Sequence, residues 1–170
     1  MTSYEQVNDW FFALIEKDME FFHYFELTEA EAIKLAEKRA GKYREEAVRL
    51  IRTKCLPQID WTQRAKDDDG NEIGFDFDFN GHEELLLPML MYRFYLLRDI
   101  AKLKTYNVNF TSSAIKVFDP SNARTSFQSL YNQVVIDTDQ LIDDYKNYDR
   151  ETGQYRKFDP AKYDIQRGDF

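Results

Sequence analysis

A chain of 170 residues, 43% hydrophobic and 32% charged, has the length and balance of one globular domain with a core of its own. Its formal charge of −8 argues against a protein that grips a phosphate backbone, since no basic stripe stands out against 31 carboxylates. A single cysteine, Cys55, excludes an internal disulfide, and the 16% aromatic content (14 Phe, 11 Tyr) supplies large rigid surfaces for a core or an interface.

The start, Met1-Thr2-Ser3-Tyr4-Glu5, has neither the basic residues nor the apolar stretch of a secretory signal. Arg93, Arg98 and Asp99 break the longest apolar run before the ~20 residues that a membrane span requires. The expectation is a chain made in the cytoplasm, without membrane contact.

The first predicted helix runs from about Ser3 to Phe25, with Val7, Phe11, Leu14, Met19 and Phe22 near one face and Trp10, Phe12 and Phe21 widening it. Thr28-Glu29-Ala30-Glu31 announces the second as a capping box, in which Thr28 and Glu31 satisfy each other's free amides. Ala32, Ala36, Ala40, Tyr43, Ala47 and Leu50 then make a seam of mostly small residues for close helix approach, and Pro57 stops the helix. Cys55, at the apolar end of that run, reads as a buried free thiol rather than a nucleophile, because neither His23 nor His82 lies in a context that pairs with it.

From Ile59 to Phe79 the period changes. Asp67-Asp68-Asp69-Gly70-Asn71 is a turn signal, and Ile73, Phe75, Phe77 and Phe79 then alternate with Gly74, Asp76 and Asp78. A β-hairpin or extended flap is predicted, with Asp76 and Asp78 toward solvent; two strands alone are marginal in water, so it must lean on the helices or on another subunit. The acidic turn fails as a calcium loop, since Ala65 stands where the first ligand belongs and Asp76 where a bidentate Glu is usual. Asp76, Asp78, His82 and Glu83 offer hard ligands for a metal, but the second histidine of a zinc helix is missing, and solvated carboxylates explain them better.

The third helix begins at Asn80 or Gly81 and continues to about Lys104, with Pro88 predicting a late start or a bend. It is apolar around most of its circumference. Leu85, Met89, Tyr92, Leu96, Ile100 and Leu103 keep the helical period, while Leu86, Leu90, Phe94 and Leu97 fill a second face. Such a helix must be covered on both sides, so Leu86, Leu90 and Leu97 belong under the fourth helix or at a subunit contact. With Phe75 and Phe77 of the insert, they are the candidate subunit-interface residues. After a loop from Thr105 to Pro120, extended at Ala114–Phe118, Ser121 caps a fourth helix carrying Phe127, Leu130, Val134, Leu141 and Tyr145, softened at Asp137 and Thr138. Tyr148 to Phe170 has no usable period. Its spaced aromatics, Tyr155, Phe158, Tyr163 and Phe170, suit a segment that either stays disordered or folds onto a partner.

The predicted fold is therefore mainly α: a four-helix bundle-like domain over residues 1–148, with a hairpin insert at 59–79 between the second and third helices. An extended C-terminal arm follows at 149–170. No glycine-rich phosphate loop or G-x-S-x-G elbow is present, so the expectation is no enzyme, no metal and no cofactor.

The order of features (Tyr4-Glu5-Gln6-Val7; Phe25-Glu26-Leu27-Thr28-Glu29-Ala30-Glu31; an acidic Phe-containing insert; a long apolar helix; Ala114-Ile115-Lys116-Val117-Phe118-Asp119-Pro120-Ser121-Asn122-Ala123; a last helix rich in Tyr and Asp) resembles the head–tail connector, or neck adaptor, proteins of tailed bacteriophages of Gram-positive hosts. The likeness covers about Tyr4 to Tyr148, in layout and short phrases, with an insert longer than that family leads one to expect. It implies a virion subunit that forms a homo-oligomeric ring, of about twelve copies, closed by head-to-tail contacts. The implied ring joins the portal protein to a downstream neck or tail protein and extends a channel through which DNA passes without sequence-specific binding. It also implies that the C-terminal arm docks on the portal, making Tyr155, Phe158, Tyr163 and Phe170 the candidate partner-binding residues. Two other classes stay open: a helical adaptor or regulatory protein that binds a protein partner through its tail, and a metal-dependent hydrolase using Asp76, Asp78, His82 and Glu83.

Overall fold

The computed structural model describes residues 1–16, 27–55, 58–109 and 120–156, with backbone alone at 102–109 and 120–124. Four helices are seen among them: α1 (Tyr4–Leu14), α2 (Glu29–Lys54), α3 (Gly81–Asn109) and α4 (Pro120–Asn147). Five short strands complete the fold: β1 (Thr2–Ser3), β2 (Arg64–Lys66), β3 (Glu72–Phe75), β4 (Tyr148–Asp149) and β5 (Gln154–Tyr155). No helix among the described residues is long and apolar enough to cross a membrane.

Each well-defined helix start has a local chemical reason. Ser3 and Gln6 form a capping box at α1, and Thr28 and Glu31 form the predicted one at α2. At α3 the Asn80 Oδ1 accepts from the backbone N–H groups of His82 and Glu83, at 3.1 and 3.0 Å, while Glu83 Oε2 accepts from the Asn80 N–H at 2.9 Å. This third box fixes the start of α3 upstream of Pro88, so the proline neither delays nor ends the helix. It still withholds the N–H that would bond to the Glu84 carbonyl. Helix α1 stops at Leu14, earlier than its periodicity predicts, because the Ile15 N–H closes a tighter turn on the Phe12 carbonyl. Met19, Phe21 and Phe22 lie outside the described residues, as do Ala114–Phe118.

The insert forms a three-stranded antiparallel sheet in the order β1-β3-β2, rather than a lone hairpin. Thr2 pairs with Phe75 and Ser3 with Gly74. A Cβ at Gly74 would stand 2.4 Å from the Thr2 carbonyl oxygen, so the third strand fits only because that position is glycine. Asp76 and Asp78 are exposed, as the alternation predicts, while Phe75, Phe77 and Phe79 turn inward around the fully buried Trp61. Arg64 ties the sheet to α2 through Glu45 at 3.4 Å and lies over the Phe75 ring.

Helices α3 and α4 run antiparallel: Tyr145 reaches Glu83 at one end, and Arg93 reaches Thr138 and Asp139 nearer the other. Helix α2 joins α3 through Tyr43, whose hydroxyl accepts from Arg98 at 2.8 Å, and joins α1 through buried Arg44, stacked 3.4 Å from the Tyr4 ring centroid. Thr138 does not soften α4. Its hydroxyl bonds back to the Val134 carbonyl and accepts from Arg93, which also reaches Asp139, so Thr138 and Asp139 cross-link the two helices.

The apolar circumference of α3 is absorbed largely by its own chain. Leu86, Leu87, Leu90 and Met91 are at most 1% exposed, in one core with Phe11, Ala40, Ile51, Trp61, Phe75, Val134, Ile142 and Tyr145. This corrects the interface assignment of Leu86, Leu90 and Phe75, which are enclosed within the chain and present nothing to a neighbour. The aromatic sheet closes the bundle on a side that companion helices alone leave open. Phe77 is half-buried against that core, and Leu97 remains 44% exposed.

Candidate interaction surfaces

The chain beyond α4 does not leave the domain at once. Tyr148 pairs with Tyr155 and Asp149 with Gln154, so β4 and β5 form a hairpin. Its turn is made by Asp149 Oδ1, which accepts from the N–H groups of Glu151 and Thr152, and by Gly153 at φ 68°. The extended-arm reading is thus corrected over 149–156, where the chain is folded back; 157–170 lies outside the described residues.

The hairpin is pinned to the start of α3 by a buried carboxylate. Glu83 is fully buried; its Oε1 accepts from Tyr145 Oη at 3.2 Å and from Arg150 Nε at 3.0 Å, while Oε2 is held in the capping box. Burial, reinforced by the neighbouring Glu83 charge, pushes the Tyr145 phenol well above its usual value, so it stays a donor. Arg150 adds a bond from Nη2 to the Asp78 carbonyl, and its backbone N–H donates to Gln58 Oε1 at 2.7 Å. Gln58 in turn donates to the Tyr148 carbonyl. The His82 ring packs 4.1 Å from Tyr148 and 6.0 Å from Tyr155, centroid to centroid. Glu83, Gln58 and Arg150 are the residues sequence reasoning missed as a unit. The only available signal was the Asp149–Gly153 turn, which marks a reversal just after the last helix.

These contacts decide what the polar groups can do. Glu83 is committed to three donors, His82 to two tyrosine rings, and Asp76 and Asp78 sit on the surface, so the four do not converge. No group of three His, Cys, Asp or Glu among the described residues is placed to hold a metal ion. Burial raises the Cys55 thiol above its ordinary value, which favours the unreactive protonated form. The Asp67 carboxylate serves its own turn, accepting from Asp69 and Asn71.

Two surfaces suit association. At the hairpin end, Tyr155 is 57% exposed while its neighbour Tyr148 is anchored. Toward the opposite end of the α3–α4 pair, Leu97, Phe127 and Leu130 are exposed, each by 40–44%. Of the remaining expected partner contacts, Phe158, Tyr163 and Phe170 lie outside the described residues. A separate groove of about 380 Å³ lies between α1 and the first turns of α3, lined by Trp10, Leu14, Glu84, Leu85, Pro88 and Met89.

No protein-family model, curated protein or solved structure matches this chain.

Proposed function

We propose that this protein is a structural subunit of a tailed-phage neck, forming a ring between the portal and the next neck or tail component. The observation that carries the reading is the separation of two association surfaces along one antiparallel helix pair. Exposed Tyr155 on a pinned hairpin lies at one end, and exposed Phe127 and Leu130 lie toward the other. A bridging subunit needs such a layout, with one end for each neighbour and the flanks for its own copies. Leu97 and half-buried Phe77 remain the candidates for lateral contact. The arm, with Tyr155, Phe158, Tyr163 and Phe170, is assigned to the portal.

The net charge of −8 supports the assignment of a DNA channel, since a carboxylate-rich lining repels phosphate and lets the duplex slide. The reading assigns the protein no catalysis and no cofactor, and places it in the virion after synthesis in the host cytoplasm. The test is size-exclusion chromatography with light scattering, followed by negative-stain microscopy, of the chain alone and mixed with portal rings of the same phage. A ring, alone or on the portal, supports the proposal. A chain that stays monomeric and ignores the portal overturns it and favours the single-partner adaptor.

A further inference from the structure

We infer that the outward face of α2 docks on the acidic insert of a second copy of this chain, with Lys34, Lys38 and Lys42 on one side and Asp68, Asp69 and Asp76 on the other. Folding separates charges that the sequence interleaves. Helix α2 carries eight of the 23 basic residues and five of the 31 acidic ones, whereas residues 59–79 carry two and seven. At ~100° per residue, Lys34, Lys38, Lys42 and Arg49 fall within an arc of roughly 80° and a length of ~22 Å. Glu37 and Glu46 lie outside that arc, and Glu45, which falls within it, is taken by Arg64 at 3.4 Å. Arg49 pairs along its own helix, with Glu46 at 3.3 Å. Lys34, Lys38 and Lys42 are exposed, and among the described residues none of them has an ion-pair partner.

The insert presents the complementary charge. Asp67 serves its own turn and Glu72 faces Arg64 at 3.7 Å, whereas exposed Asp68, Asp69 and Asp76 have no cation paired with them among the described residues. The turn acids and Asp76 stand at opposite ends of β3, roughly 15–20 Å apart at ~3.4 Å per residue, which fits within the length of the α2 stripe. Half-buried Phe77 follows Asp76 and gives the patch an apolar element. Within one chain the two patches do not meet: the sheet is tied to α2 by Arg64 on Glu45, and no ion pair among the described residues joins the three lysines to the insert. A second copy carries both halves of the match. Nucleic acid is the poorer occupant, since a chain of net charge −8 is repelled by it as a whole. Two copies of like net charge still attract where opposite patches come within a Debye length, ~8 Å at physiological salt. Because the two patches differ, the contact is head-to-tail. It rests on the neck reading only for its closure into a ring.

Charge reversal on the full chain tests it, with light scattering as the readout. Self-association of the parent should weaken at least ~10-fold between about 50 mM and about 500 mM salt. The triple variant Lys34→Glu, Lys38→Glu, Lys42→Glu and the triple variant Asp68→Lys, Asp69→Lys, Asp76→Lys should each be a monomer, with the fold checked by circular dichroism. Mixing the two should restore association, because each then presents the charge that the other lacks. Should reversal disturb α2, Lys34→Gln, Lys38→Gln and Lys42→Gln serve the same test with a smaller loss. A mixture that stays monomeric overturns the inference, as does a parent that is monomeric at low salt or associates equally at both salts. Binding of duplex DNA that the lysine variant loses, without self-association, overturns it in favour of a nucleic-acid face. A portal-bound ring indifferent to both triple variants overturns this contact and keeps the neck reading. Salt-sensitive association that gives no ring and ignores the portal does the reverse.

Discussion

Replacing Arg150 by alanine isolates the anchor of the C-terminal hairpin. Glu83 is fully buried, whereas the Arg150 side chain is 29% exposed. Removing one partner of a fully buried ion pair costs about 3–5 kcal/mol, because the other charge is stranded. Two features reduce that here. Water can enter the space the guanidinium vacates, and Glu83 keeps the Tyr145 hydroxyl and the Asn80 N–H. About half the full penalty, roughly 1.5–2.5 kcal/mol, is expected for Arg150→Ala. For a chain of this size that lowers Tm by ~3–10 °C. Urea and thermal unfolding followed by circular dichroism measure it, and Glu83→Gln in both backgrounds completes a double-mutant cycle. Neutralising Glu83 should partly rescue Arg150→Ala, giving a coupling of ~1 kcal/mol or more. A single variant within ~0.5 kcal/mol of the parent, or an additive cycle, refutes the idea that the pair holds the hairpin.

Gly74→Ala forces a methyl against the Thr2 carbonyl at 2.4 Å and the Ser3 Cα at 3.0 Å, both backbone, so β1 must detach at a cost of about 1–3 kcal/mol. Gly81→Ala meets nothing within 4 Å and serves as the near-neutral control; equal unfolding midpoints for the two would refute the close approach. The third prediction concerns acid. The hydrogen bond from Lys54, then Arg93, holds the Asp139 carboxyl below its ordinary 3.8. A lowered folded value means that its stabilisation is complete above 3.8 and fades as pH falls through the folded value. The stability gap between the parent and Asp139→Asn should therefore be wider at about pH 6 than at about pH 3 in denaturant titrations, and an equal gap at both refutes the linkage.

What the sequence made legible depended on whether the signal was local. The start of α2 is written in Thr28 and Glu31, three residues apart in the chain, and its small-residue seam repeats every turn. The inward set of Phe75, Phe77 and Phe79 follows from a period of two. That the over-apolar α3 needs cover on both sides is legible, but the choice between its own chain and a neighbour as that cover is not. The missing layer is Trp61 with the sheet phenylalanines, brought together by contacts that no window of sequence contains. Strand β1 left no trace because two residues carry no periodicity, and its pairing depends on an absent Cβ over seventy residues away. At the candidate surfaces, exposed Tyr155 and Leu97 were singled out by type and spacing. The Glu83–Arg150 pair was not, since a carboxylate on an amphipathic helix looks the same whether it faces water or a distant arginine.

Strand β1 also orders events during synthesis. Thr2 and Ser3 emerge from the ribosome well before their partners, Gly74 and Phe75, which come more than seventy residues later, and the Thr2 hydroxyl waits for the Phe79 amide. The β2–β3 turn, by contrast, closes over a handful of residues and can form as soon as it emerges. Strand β1 is thus completed by a template made well after it. Until then, the apolar face of α1, with Val7 and Phe11, has no described partner nearer than α2. A nascent chain halted before Phe79 should expose that face to chaperones, whereas one halted after α3 should bury it.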